Sequence, residues 1–121
     1  MSLDYKFLLL ASDASESDTL KEAISEHFGN IVLHETPALG DAVDFCKANV
    51  YDLVIASTNG LDLDLFTQKL RQLNNDNKTT GILVIGSGHP ISSRNFSNVM
   101  QVESIGVDDW AQYARVLISL K

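Results

Sequence analysis

The feature that most constrains this chain is a repeated alternation. A short apolar run of strand length is followed, again and again, by a segment whose apolar residues recur with helical period. YKFLLLA (residues 5–11), NIVLHET (30–36), DLVIAS (52–57), GILVIG (81–86) and VMQVESI (99–105) read as five strands. Between them Leu20, Ile24 and Phe28 fall at i, i+4 and i+8. Leu39, Val43, Cys46 and Val50 form a second stripe, and Leu63, Phe66, Leu70 and Leu73 a third. Val107, Ala111, Ala114 and Ile118 stripe a final helix, with Trp110 and Leu117 beside them. Strict alternation predicts a parallel sheet with helices on both faces. The near-continuous apolar strands agree, because such a sheet is covered on both sides. Five strands in 121 residues predict an α/β fold of flavodoxin-like strand order 2-1-3-4-5, one domain spanning residues 1–121.

Punctuation between the elements supports the same division. Ser15 and Asp18 ahead of the first stripe predict a capping-box-like start, and Gly29 and Asn30 its stop. Pro37 stands near the start of the second helix. The polar cluster NNDNKTT closes the third. One unit is abnormal: only twelve residues, SGHPISSRNFSN, separate Gly86 from Val99. A parallel crossover usually needs a helix and a dozen or more residues, so the fourth helix is expected to be short or missing.

Charge and cysteine content exclude several function classes. A net charge of −7, with nine basic residues scattered along the chain, argues against nucleic acid and anionic membranes. Cys46 is the only cysteine, so neither an internal disulfide nor a Cys/His metal cluster can form. FLLLA (7–11) is too short to span a bilayer and lacks a signal-peptide cleavage pattern. A cytoplasmic protein is expected. The opening Met1-Ser2-Leu3, and an end within a helical pattern at Lys121, fit a domain cut from a longer protein as well as a complete one.

In an open parallel sheet, ligands and reactive groups gather outside the carboxyl ends of the strands. That edge should carry Ala11-Ser12-Asp13, Ser57-Thr58-Asn59, Gly86-Ser87-Gly88 and Ser104-Ile105-Gly106. With KFLLLASDASESDTLKEAI, DLVIASTNG and ILVIGSG in this order and spacing, the chain resembles, over its whole length, the receiver domains of bacterial two-component response regulators (CheY-like). The resemblance implies an acidic pair ending strand 1, a phosphoryl-accepting Asp ending strand 3, a Thr or Ser ending strand 4, and a Lys ending strand 5. In the family the acids hold Mg²⁺.

This chain departs from that pattern at the acidic pair, the acceptor and the lysine. The acidic pair falls on Ala11-Ser12 or Ser12-Asp13, the acceptor on Ser57, and the strand 4 hydroxyl on Ser87. No lysine occurs between Lys78 and Lys121. Mg²⁺ wants oxygen ligands that include more than one carboxylate when no substrate phosphate is bound, and Asp13 alone offers too little charge. Without metal and lysine, charge developing on a transferred phosphoryl group has no counterion. A serine hydroxyl also needs a neighbouring base to become a nucleophile. Ser12, Asp13, Ser57 and Ser87 are therefore read as a degenerate phosphorylation site in a non-catalytic pseudo-receiver without metal or cofactor.

The function expected is protein–protein contact or self-association through strands 4 and 5 and the final helix. Arg94, Phe96, Gln101, Glu103 and Tyr113 are the candidate interface residues, and strand 5 is the expected edge. Two other readings stay open. One is a receiver still phosphorylated through displaced acids such as Asp13 and Asp62. The other is a small-molecule module of flavodoxin type. For the latter, the hydroxyl-rich loop ASDASESDT would have to bind phosphate, but Asp13, Glu16 and Asp18 repel one, and N-capping is expected instead. GSGHP reads as a turn. His27, His34 and His89 have no ligand-like spacing, and Cys46 and Trp110 are expected in the core.

Overall fold

A computed structural model describes residues 5–28, 31–57, 63–86, 98–102 and 110–120. Five strands, β1 (Tyr5–Leu10), β2 (Ile31–Thr36), β3 (Leu53–Ser57), β4 (Gly81–Ile85) and β5 (Val99–Val102), form one sheet. Its order is β2-β1-β3-β4-β5, with every neighbouring pair parallel, as the alternation predicted. The helices are α1 (Ala14–His27), α2 (Leu39–Ala48), α3 (Leu63–Arg71) and α4 (Trp110–Ser119). Among the described residues, none of these is long and apolar enough to cross a membrane.

The period-2 geometry of a strand splits β1 between two cores. Phe7 and Leu9 point to the face covered by α1 and α4, where they meet Leu20, Ile24, Trp110, Ala114 and Leu117. Leu8 and Leu10 point to the opposite face, where α2 and α3 supply Val43, Cys46, Phe66 and Leu70. β3 and β4 are buried along their whole length because both of their faces are covered. β2 and β5 are the sheet's edges and are only partly buried. Gly81 lets α4 press onto β4: a Cβ there would lie 2.6 Å from Leu117 Cβ. Phe28, just past α1, packs against Tyr5, Phe7 and Trp110, and the Arg115 guanidinium lies 5.1 Å from its ring centre.

Three boundaries differ from the sequence reading. The N-cap of α1 is Asp13, whose carboxylate accepts from the Ser15 N–H at 2.9 Å, so Ser15 lies inside the helix. An aspartate is a stronger acceptor than a hydroxyl, and capping two residues earlier gathers Ala14 into the first turn. Val50 lies beyond the end of α2 and is 43% exposed, because Asn49 already has extended backbone. Leu73 lies past the end of α3 but still packs on the second core. The shortened crossover after Gly86, the Gly29-Asn30 stop and residues 103–105 of the fifth strand lie outside the described residues.

The polar cluster after α3 is more than a helix end. It forms a 3-10 turn, Asp76–Thr79, and buries Asn77 and Thr80 completely. The Asn77 side-chain oxygen accepts from the Tyr51 N–H at 2.8 Å and the Thr80 hydroxyl at 3.2 Å. Its amide donates to the carbonyls of Cys46 and Asn49. One side chain thus satisfies the end of α2 and the entry to β3, groups that neither a helix nor a ladder provides for.

Candidate functional site

Because all five strands run parallel, their carboxyl ends share one edge of the sheet. At the end of β1 the Ala11 N–H donates to the Thr36 carbonyl at 3.2 Å, continuing the pairing with β2 for one residue. The chain then turns outward, leaving Ser12 and Asp13 exposed. Asp13 is committed to α1: its side chain caps the Ser15 N–H, and its carbonyl accepts from Ser17 N at 2.9 Å. Ser57 closes β3 opposite Ile85 and is 1% exposed, so its hydroxyl is turned into the protein. Beyond β4, Gly86 takes φ 139°, a conformation that favours glycine, and its N–H donates to the Val102 carbonyl at 2.8 Å.

Of the expected site residues, the structure thus places Ser12, Asp13 and Ser57 at this edge, two exposed and one buried. Ser87, Asp62 and His89 lie outside the described residues. Among the described residues no three His, Cys, Asp or Glu side chains gather as a metal site. His27 meets the Trp110 ring edge-on at 5.2 Å, whereas His34 Nδ1 is bonded to the Tyr51 hydroxyl at 2.7 Å. Burial pushes the Tyr51 phenol up to about 12, with the nearby Cys46 thiol adding to the shift.

On the expected contact face, Gln101 is half-buried and its amide donates to the Gly86 carbonyl at 2.9 Å, tying β5 to the end of β4. Tyr113 is half-buried against the core formed by α1 and α4. Arg94, Phe96 and Glu103 lie outside the described residues.

An open pocket of about 470 Å³ beside the end of β1 was not foreseen from the sequence. Ala11, Ser12, Ala14, Ser17, Thr36 and Pro37 wall it, and Asp18, Lys21 and Glu35 stand around it. The Ser17 hydroxyl donates to Glu35 Oε2 at 2.9 Å. Lys21 Nζ reaches Glu35 Oε1 and Asp18 Oδ1, each at 3.3 Å. The hydrogen bond to Glu35, then the one to Asp18, raises the Lys21 ammonium above the usual lysine value. The signal was available only as a parity: Glu35 shares with Ile31 and Leu33 the strand face turned toward α1.

No protein-family model and no curated protein matches this sequence. Solved structures do. A sensor protein from Polaromonas is 13% identical, with 95% of this chain and 96% of that one covered at a TM-score of 0.78. A CheY-like response-regulator receiver domain from Methylobacillus flagellatus is 17% identical, with 98% and 100% covered at a TM-score of 0.74. The receiver domain of a sensor histidine kinase from Pseudomonas aeruginosa, with magnesium coordinated in its active-site cleft, is 13% identical. There the cover is 98% of each chain and the TM-score 0.71. At identities of 13 to 17% the likeness is one of architecture, and the chain has the fold of the response-regulator receiver domains.

Proposed function

We propose that this chain is a receiver-like signalling domain, cytoplasmic and non-enzymatic, that works through protein contacts without accepting a phosphoryl group. The observation that carries the reading is Ser57. It stands at the carboxyl end of β3, where receiver domains place the phosphoryl-accepting aspartate, yet it is an uncharged hydroxyl and 1% exposed. A serine hydroxyl is a far weaker acceptor of a phosphoryl group than a carboxylate unless a base activates it, and a buried one is also out of reach of a phosphodonor. Asp13 supports the same reading, because its carboxylate already serves as the α1 cap. Asp13 by itself carries too little charge to hold Mg²⁺ against water in the absence of phosphate ligands. A net charge of −7 leaves nucleic acid an unfavourable partner, and proteins the natural class. The contact face of this reading comprises the edge strand β5 and α4, since β4 itself is buried, with Arg94, Phe96, Gln101, Glu103 and Tyr113 as its contact residues.

Calorimetric titration with Mg²⁺, alone and with beryllofluoride, tests the reading. No saturable heat is expected in either case. Saturable binding of the phosphoryl mimic would show a site rebuilt from displaced acids such as Asp13 and Asp62.

A further inference from the structure

The sheet has a second edge, at the far side from β5. β2 pairs with β1 on one side, and among the described residues no strand lies on its other side. The Thr36 carbonyl accepts from the Ala11 N–H, so the two-residue period of a strand also turns the backbone groups of Val32 and His34 toward β1. Leu33 and Glu35 direct their N–H and C=O groups the other way, out of the sheet. Side chains alternate across the two faces of the strand. Glu35 meets Ser17 and Lys21 of α1, whereas the His34 ring meets Phe45 of α2. Val32 shares the face of His34, and on that face Val32 is 46% and Phe45 36% exposed. An open ladder edge and exposed apolar side chains thus occur on the same strand, the combination that strand addition uses.

Charge selects the occupant. Asp18 and Glu35 are exposed on the α1 face, and Asp41 and Asp44 on α2, against Lys21 and Lys47. Lys6, one strand further in, is held by the Asn49 side chain at 2.7 Å. The chain as a whole carries −7, so a second copy would bring like charge to this edge.

We infer that β2 accepts an extended segment of a partner protein as a sixth strand, with basic residues on the side facing α1 and apolar residues on the side facing α2. The inference rests on the protein-contact reading above and adds a contact surface at the opposite edge from β5. Main-chain bonds to Leu33 and Glu35 hold the segment, and Val32 and Phe45 take its apolar side chains. Glu35 and Asp18 already share Lys21, so the carboxylates choose a basic segment over an acidic one more than they tighten its binding.

The test is a titration of the ¹⁵N-labelled chain with an octapeptide of alternating arginine and valine, read by amide shifts and by hydrogen exchange. Saturable shifts are expected along β2, with exchange of the Leu33 and Glu35 amides slowed by about tenfold. The same peptide N-methylated along its backbone keeps its side chains and loses its donors, and should bind about tenfold more weakly. Replacing arginine by glutamate should abolish binding. Asp41→Asn with Asp44→Asn should weaken the arginine peptide by about threefold and flatten its salt dependence. Sedimentation of the chain alone should show a monomer. No saturable shift, shifts confined to β5 or α4, or equal binding of the N-methylated or the glutamate peptide would overturn the inference. Self-association that Val32→Lys removes would overturn it in favour of a second copy. A phosphoryl group gained from a phosphodonor would overturn the proposed function yet leave these titrations unaltered, so the two failures are distinguishable.

Discussion

Replacing Asn77 by alanine should destabilise the fold more than its place in a polar turn suggests. Four hydrogen bonds disappear, but they do not weigh equally. The Thr80 hydroxyl keeps its 2.9 Å bond to the Tyr51 carbonyl. The Cys46 carbonyl keeps the Asn75 amide at 2.8 Å. The Asn49 carbonyl belongs to a half-exposed residue and can turn to water. The Tyr51 N–H alone is left in a fully buried residue with its acceptor gone. An orphaned buried donor costs about 1–3 kcal/mol, and the lost buried bonds add about 1 more. The expected loss is therefore about 2–4 kcal/mol. In urea, with a slope of about 2 kcal/mol per molar, the midpoint should fall by roughly 1–2 M. Asn75→Ala is the internal comparison: it removes one bond to Cys46 and the acceptor for Asn77 N, and should cost about 1 kcal/mol. A loss below about 0.5 kcal/mol for Asn77→Ala, or one no larger than for Asn75→Ala, would refute the reasoning.

Three further outcomes follow from the same structure. Gly81→Ala sets a methyl 2.6 Å from Leu117 Cβ, so α4 must shift; a loss of about 1–3 kcal/mol is expected by thermal melting, partly recovered in the Gly81→Ala/Leu117→Ala double variant. Asp13→Ala should lower stability by about 1 kcal/mol through the lost α1 cap, and Asp13→Ser should restore most of it. The Tyr51 phenol holds its proton in the folded state up to about 12, against an ordinary value of 10.0. Between those values the unfolded chain releases a proton that the folded chain retains, so stability should fall as pH rises, by on the order of 2 kcal/mol. Tyr51→Phe should flatten that part of the alkaline unfolding curve.

The sheet was legible because its information is local. Phe7 to Leu10 are apolar on both faces of one strand, and only a sheet covered on both sides accommodates that. The stripe of α1 was equally plain, whereas its cap was not, since Asp13, Ser15 and Asp18 are all competent caps and the choice depends on where the chain leaves β1. Val50 continued the period of α2 by coincidence of spacing, although the helix ends at Ala48. Asn77 was hidden because its four partners lie on α2, the segment before β3 and its own turn, and nothing in NNDNKTT marks one asparagine as buried. The edge residues Ser12, Asp13 and Ser57 were placed from topology alone. The burial of Ser57 required the packing around it, and the pocket beside Glu35 arises only when β2 lies next to the start of α1.

Intact-mass spectrometry after incubation with acetyl phosphate and Mg²⁺ tests most directly the proposal that this chain accepts no phosphoryl group. The chain should retain its unmodified mass, and so should Ser57→Ala. A stoichiometric gain of one phosphoryl group, mapping to Asp13, to Ser57 or to another residue of the sheet edge, would contradict it.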